Sequence, residues 1–211
     1  MGLKKGFFVT FEGIEGSGKT TQIKLLENYI KKNITKKVFL TREPGGTKVS
    51  EKLRKIIIND LNEKSNPYSE LFLIFAARAE HYELIKKKIH LGFVVLCDRY
   101  VDSTIAYQHY NGSIPIKTIN NLQRMIDNKI APNLTFLLNL DVKKSKHRMK
   151  SRNKKLDRFD KYSINKMKKI GDAFLKIYKK NKKRIILVNN NLTINDSHLI
   201  IVKHFLKKIK K

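Results

Sequence analysis

Cysteine is nearly absent: the 211-residue chain holds one, Cys97. This excludes an internal disulfide and any metal site built from several thiolates. Long apolar runs are missing as well. No stretch approaches the roughly 20 apolar residues of a membrane-spanning helix. The short apolar stretch near the start is cut by Glu12 and no small-residue cleavage site follows, so no secretory leader is expected. These absences point to a reducing, cytoplasmic setting. Acidic residues are also scarce, with 18 Asp+Glu against 46 Lys+Arg and a formal net charge of +28. Such an excess is the footprint of a nucleic-acid or membrane-surface binder, but its make-up argues against that reading. It consists of 37 Lys and only 9 Arg, and Lys, Asn and Ile together make 80 residues, the bias of an AT-rich genome. The lysines are spread along the chain and form no basic tail. Arginine is the better fork for phosphates, so each arginine that is kept is informative. No nucleic-acid partner and no membrane contact are expected.

What is present supports one folded domain over residues 1–211: 41% of residues are apolar, and neither a linker nor an internal repeat divides the chain. Five apolar runs read as strands: Phe7–Glu12, Val38–Thr41, Phe93–Asp98, Leu134–Leu140 and Ile185–Asn189. Most are continuous and not alternating, as in strands buried on both faces of a parallel sheet. Helical patterns separate them. Ile23, Leu26 and Ile30 share one face after Lys19, and Leu53, Ile56 and Ile57 mark a second helix. Ser65-Asn66-Pro67 starts a long helix towards His90, and Pro115 opens another. Ile164, Met167, Phe174 and Ile177 lie on one more, and Asp196 is the expected cap of a last helix. The βαβα alternation predicts an α/β domain. Residues 148–160 are polar and dense in positive charge, and read as a loop between helices.

The sharpest motif is Gly13-Ile14-Glu15-Gly16-Ser17-Gly18-Lys19-Thr20, which fits G-x-x-x-x-G-K-[ST]. It follows an apolar strand and opens an amphipathic helix, the setting in which backbone N–H groups turn inwards around phosphate oxygens. Lys19 is then placed for the outer phosphates and Thr20 for Mg²⁺. Asp98 ends the third apolar run, where a carboxylate contacts Mg²⁺ in this architecture. Cys97, on the opposite side of that strand, reads as a core residue. These residues establish a nucleoside triphosphate site with Mg²⁺, which kinases, GTPases, helicases and transport ATPases share.

Further segments carry arginines and polar groups after strands: Thr41-Arg42-Glu43-Pro44-Gly45-Gly46, Glu51-Lys52-Leu53-Arg54, Phe75-Ala76-Ala77-Arg78 continuing to His81, Asp98-Arg99-Tyr100 continuing to Gln108, and the late Leu156-Asp157-Arg158-Phe159. Together with the phosphate loop, and in this order, they resemble thymidylate kinase over essentially the whole chain. The resemblance implies a three-layer α/β/α phosphate-loop fold with a five-stranded parallel sheet and a short basic lid at about 148–160. It implies a homodimer and the transfer of the ATP γ-phosphoryl group to dTMP.

Carried over residue by residue, the resemblance makes Arg54 and Arg78 ligands of the dTMP phosphate, and Arg99 the bridge between donor and acceptor phosphates. Glu15 takes the acidic position that contacts the sugar or the Mg²⁺–water shell. Ser103, Thr104 and Gln108 fall along the thymine side and Tyr107 at the deoxyribose. Glu43 and Pro44 line the acceptor pocket, with a cis peptide between them. The ATP site is implied to span Gly13 through Thr20 and on to Thr21. Many relatives place a phenylalanine against the base four residues before the arginine that is Arg78 here. This chain has Ile74 there, with Phe75 next to it. Some relatives carry a phosphate-loop arginine where this chain has Ser17, and those have basic lids. Arg148, Arg152 and Arg158 are the corresponding candidates over the ATP phosphates, Arg152 foremost. The implied catalytic set is Lys19, Arg99, Glu15 and Arg152. The alternatives are another nucleotide or deoxynucleoside kinase, which leaves Arg54 and Arg78 unexplained if the acceptor carries no phosphate, or a basic ATPase acting on nucleic acid.

Overall fold

The continuous apolar runs form a sheet that is covered on both faces. The computed structural model describes residues 6–34, 37–62, 64–126, 130–151 and 157–209. Strands β1 (Phe7–Glu12), β2 (Val38–Arg42), β3 (Val94–Asp98), β4 (Leu134–Asn139) and β5 (Ile185–Asn189) are parallel throughout, in the order β2-β3-β1-β4-β5. Each of the five expected runs is a strand, with bounds that differ by at most one residue at an end. Between them lie α1 (Lys19–Asn33), α2 (Lys48–Asn59), α3 (Pro67–His90) and α4 (Val101–Thr104), which continues as a π-helical stretch over Ile105–Tyr110. Then come α5 (Ile116–Ile126), α6 (Val142–Lys150), α7 (Ile164–Lys180) and α8 (Ile194–Ile209).

The two faces follow the strand period. Val9, Phe11, Val94, Leu96 and Phe136 pack with Ile23, Leu26 and Ile30 of α1 and with Ile201 and Phe205 of α8. On the opposite face Phe8, Val95 and Cys97 meet Ile85 of α3 and Tyr100. Beyond them Leu137 and Ile185 meet Met167, Ile170 and Phe174 of α7. Cys97 is fully buried, as its place in the strand required.

Local signals start the helices where expected, with two exceptions. Asn66 Oδ1 accepts from Tyr68 N–H, and Pro67 occupies the first helical turn of α3. The last helix is capped three residues earlier than Asp196: Thr193 Oγ1 accepts from Asp196 N–H, and the Asp196 carboxylate accepts from the Thr193 hydroxyl. Thr193 therefore takes the cap and Asp196 the first turn, a reciprocal arrangement that satisfies an otherwise orphaned donor. The segment read as a loop from residue 148 begins inside a helix, because Asp141 caps α6 by accepting from Lys143 and Lys144 N–H. Lysine is a good helix former, so charge density alone did not break it. Among the described residues no helix is long and apolar enough to cross a membrane.

Candidate active site

The functional side chains gather at the carboxyl ends of β1, β2 and β3. Between β1 and α1 the chain turns tightly enough that a Cβ on Gly13 (φ +138°) would stand 2.6 Å from Leu138 O, so only glycine fits. The loop encloses Lys19, whose Nζ donates to Gly13 O and Ile14 O, each at 3.1 Å. Burial, and next the positive charge of Arg99, pull the Lys19 ammonium down to about 8. An anion in the loop would reverse that penalty. The side chain of Ile14 turns away into the core beside α7, Ser17 is fully buried, and Thr21 is exposed on the first turn of α1. Thr20 Oγ1 donates to Asp98 Oδ2 at 3.2 Å, and Asp98 Oδ1 is buried without a hydrogen-bond partner. A hydroxyl and a carboxylate with a free lone pair are hard oxygen donors, the kind Mg²⁺ takes alongside substrate phosphates. Among the described residues no cluster of three or more His, Cys, Asp or Glu stands ready to hold a metal alone.

After Asp98 the backbone takes a left-handed turn at Arg99, φ +70°, and Arg99 N–H donates to Phe11 O at 2.9 Å. A non-glycine residue there costs on the order of 1–2 kcal/mol, so the neighbours must hold it. Glu12 does so from beneath: its carboxyl accepts Tyr100 N–H at 2.8 Å and the Ser103 hydroxyl at 2.5 Å. Burial, and then the nearby Asp102, push Glu12 up to about 8. The guanidinium of Arg99 donates to Gly13 O (3.0 Å), Ser103 Oγ (3.1 Å) and Glu15 Oε1 (2.9 Å). Burial opposes its charge, but Tyr107, Glu15 and Asp98 more than compensate and raise it above the usual arginine value. The Tyr107 hydroxyl donates to both Glu15 oxygens, at 2.6 and 2.8 Å.

The acceptor-side segments converge on the same space. A cleft of about 250 Å³ is lined by Lys19, Thr20, Glu15 and Asp98 at one end and by Pro44, Arg54, Ile74 and Gln108 at the other. Arg42, Glu43, Arg78, Arg99, Ser103, Thr104 and Tyr107 line it too. The peptide between Glu43 and Pro44 is cis. Arg78, 2% exposed, donates through Nε to Glu43 Oε2 (2.7 Å) and through Nη2 to Thr104 Oγ1 (2.9 Å), while its Nη1 is buried with no partner. Burial opposes the ionisation of Glu43, but Arg78 and then His81 overcome it and hold the carboxyl below its usual value. Behind Glu43, His81 Nδ1 lies 3.1 Å from Oε1, and its Nε2 meets Thr41 Oγ1. That ring fills the space beside Gly46 (φ +92°), where a Cβ would come within 2.5 Å of it. Arg54 Nη1 donates to Pro44 O at 2.9 Å. Burial, and then the charge of Arg42, lower its guanidinium. Arg42 pairs with Glu51, Arg78 with Glu43 and Arg99 with Glu15, whereas Arg54 has no carboxylate at ion-pair distance among the described residues. Cations crowded together at this cost, with unmet donors, mark a place for a multiply charged anion.

Two neighbours in sequence part company in space. Ile74 lines the cleft, whereas Phe75 packs into a core with Leu71, Ile114 and Ile119 and carries the Arg78 guanidinium 4.8 Å from its ring centre. Phe75 therefore supports the arginine from behind and is not at the cleft surface.

On the lid side, Arg148 in α6 donates to Asn190 O at 3.3 Å, beside the phosphate loop. Ser145 of the same helix donates to Glu15 O. Arg152 lies outside the described residues. Arg158 differs from its expected place over the ATP phosphates: it pairs with Glu70 of α3 at 2.8 Å and lies over the Phe159 ring at 4.3 Å. The turn at Asp157–Asp160 folds back on itself, with Asp157 Oδ1 accepting Phe159 and Asp160 N–H. Phe159 anchors that turn against Tyr107 and Tyr162. Asp157, Phe159 and Asp160 consequently line the cleft.

Sequence reading did not single out Glu12 or Glu70. Glu12 had a signal, since a carboxylate at the last position of a buried strand needs a partner. Glu70 on the opening turn of α3 had none beyond favourable charge near a helix start.

The thymidylate kinase family profile matches residues 11–201. The chain is 42% identical over 198 residues to the thymidylate kinase of Sulfurihydrogenibium sp. (strain YO3AOP1), covering 93% of this chain and 95% of that protein. It is 40% identical to that of Wolbachia pipientis wMel, covering 91% and 95% respectively. Its fold superposes on the crystal structure of thymidylate kinase from Ehrlichia chaffeensis with a TM-score of 0.74 and 32% identity, over 95% of this chain and 99% of that one. A phosphate loop and a second, arginine-lined end within one cleft, matched along nearly the full chain by these proteins, place the chain in the thymidylate kinase family.

Proposed function

We propose that the protein transfers the γ-phosphoryl group of ATP to dTMP, giving dTDP and ADP. The observation that carries this reading is the meeting of Arg54, Arg78 and Arg99 with Lys19 in one cleft. Two polyanions repel, and aligning them end to end is most of what a phosphoryl-transfer enzyme has to do. Backbone N–H groups of residues 13–20 and Lys19 hold the donor phosphates. Arg54 and the unpartnered Nη1 of Arg78 take the acceptor phosphate. Arg99, held between Gly13 O and Ser103, faces the group in flight, where positive charge stabilises negative charge spread over the moving phosphoryl. No strong general base is needed, because the acceptor oxygen is already anionic. Glu15, fixed by Tyr107 and Arg99, is placed for the sugar. Thr20 and Asp98 would hold Mg²⁺, which supplies charge neutralisation on the donor phosphates when bound.

In the same reading the chain is one kinase domain whose lid, about 148–160, closes over ATP through Arg148 and Arg152 and excludes water. It works as a cytoplasmic homodimer on small-molecule substrates, with no nucleic acid. Exposed Tyr68 and Phe72 on α3 are the apolar surface that supports pairing. The test is an acceptor panel with ATP and Mg²⁺: dTMP, dCMP, dGMP and thymidine, with products resolved chromatographically. Conversion of dTMP to dTDP is expected. Phosphorylation of thymidine with dTMP left untouched would reverse the assignment.

A further inference from the structure

Gln108 lines the cleft, and its side-chain amide is not free to choose its orientation. Nε2 donates to Glu70 Oε1 at 2.9 Å, while Oε1 has no hydrogen-bond partner among the described residues. The Glu70 carboxylate only accepts, so it selects the rotamer that sends the amide nitrogen towards α3. Glu70 is itself held: Arg158, from the turn that Phe159 anchors, pairs with the same oxygen at 2.8 Å. Gln108 and Glu70 are both largely buried, so water does not readily substitute for this contact.

We infer that Glu70 is a positioning residue for acceptor specificity, fixing the Gln108 amide with its oxygen towards the base so that the site takes a pyrimidine with a protonated N3. The inference rests on the dTMP kinase reading above and extends it to a residue outside the cleft wall. Thymine and uracil carry N3–H and donate to that oxygen. Cytosine presents an N3 lone pair at the same place and meets a second acceptor, so the buried pair repels and stays unbonded. Replacing Glu70 by glutamine keeps an acceptor at that place, and replacing it by alanine removes it. Arg158 and Gln108 share Glu70 Oε1, so in E70Q the amide oxygen takes that place and Gln108 keeps its orientation, whereas in E70A the Gln108 amide is free to turn its nitrogen to the cleft.

The experiment compares wild type, E70Q and E70A with dTMP, dUMP and dCMP as acceptors at fixed saturating ATP, and measures KM for ATP separately. In E70A the ratio of kcat/KM for dTMP over dCMP falls at least fivefold, through the acceptor KM, with KM for ATP unchanged and dUMP following dTMP. In E70Q the shared acceptor remains, so the ratio stays within twofold of wild type. Thermal melts confirm that both variants fold, and E70L, which also lacks the acceptor, keeps the test open should E70A not. A contribution of Glu70 only to the start of α3 would lower stability and depress all three acceptors alike, leaving the E70A ratio within twofold of wild type; that result overturns the inference. A wild-type protein that leaves dTMP unphosphorylated sinks the functional reading, and this inference with it. Normal dTMP use with an unmoved ratio sinks the role of Glu70 alone.

Discussion

Arg99 combines the two costs that a fold tolerates only for a reason, a buried charge and a left-handed backbone at a residue with a Cβ. Its replacement by alanine is expected to lower turnover at least about a hundredfold, the worth of one preorganised donor, with the fold retained. R99G should be equally inactive yet more stable than R99A by about 1 kcal/mol, or roughly 2–4 °C in Tm, because glycine accepts φ +70° without strain. Steady-state kinetics and melting curves on the pair check both. Glu12, beneath that turn, makes stability depend on pH. Its carboxyl is pushed from the usual 4.5 up to about 8, by burial and then by Asp102. A carboxyl raised in the folded state contributes its full stability below the unfolded value and loses it as pH climbs through the folded value. E12Q cannot ionise, so the Tm of E12Q minus that of wild type should grow between pH 5 and pH 9, by at least about 4 °C. A flat difference across that range would show that Glu12 is already ionised in the folded protein at pH 5 and that its carboxyl is not raised. The same residues show what sequence reading reaches. Lys19, Thr20 and Asp98 stand in a local pattern with a known mechanical purpose, so they were legible. Glu12, Glu70 and the split between Ile74 and Phe75 were not, because each is decided by partners far away in sequence, such as Ser103, Gln108 and Ile114.

At the level of elements, α6 links the donor side of the cleft to a single cap. Asp141 accepts two N–H groups of its first turn, Ser145 reaches Glu15 O and Arg148 reaches Asn190 O. D141A should cost about 1 kcal/mol of stability and raise KM for ATP several-fold while leaving KM for dTMP unchanged. Equal changes in both constants would show that α6 does not act on the donor side separately. Sequence reading implied a helix before the loop but ended it short of residue 148, because its exposed faces are lysine-rich and its buried face amounts to Ser145 and Met149, too few apolar positions to show a period. The strands were the opposite case. Burial on both faces demands unbroken apolar runs, and Val94 to Cys97 are each fully buried.

For the whole molecule the relevant quantity is a net charge of +28, with lysines spread over the surface. Self-repulsion of this kind weakens as salt rises, while attraction of polyanionic substrates weakens too. Raising NaCl from about 20 to 200 mM, where the screening length shortens severalfold, should increase Tm and lower kcat/KM for dTMP and ATP together. A Tm that fell with salt would mean that the ion pairs, Arg78–Glu43 and Arg184–Asp102 among them, outweigh the repulsion.

The sequence by itself determined the strand set, the phosphate loop and the inventory of arginines, because these are written in runs of neighbouring residues. Apolar continuity, glycine spacing and helix caps act over a few residues and survive without knowledge of what lies opposite. Tertiary structure alone decided which arginine points where. Arg54 and Arg78 face the cleft because α2 and α3 pack on each other beside β3, and Arg158 turns to Glu70 because Phe159 packs on Tyr107. Direction of a side chain depends on contacts between segments tens of residues apart, and hydrogen bonds and charge complementarity at that range leave no period in the chain for a reader to find.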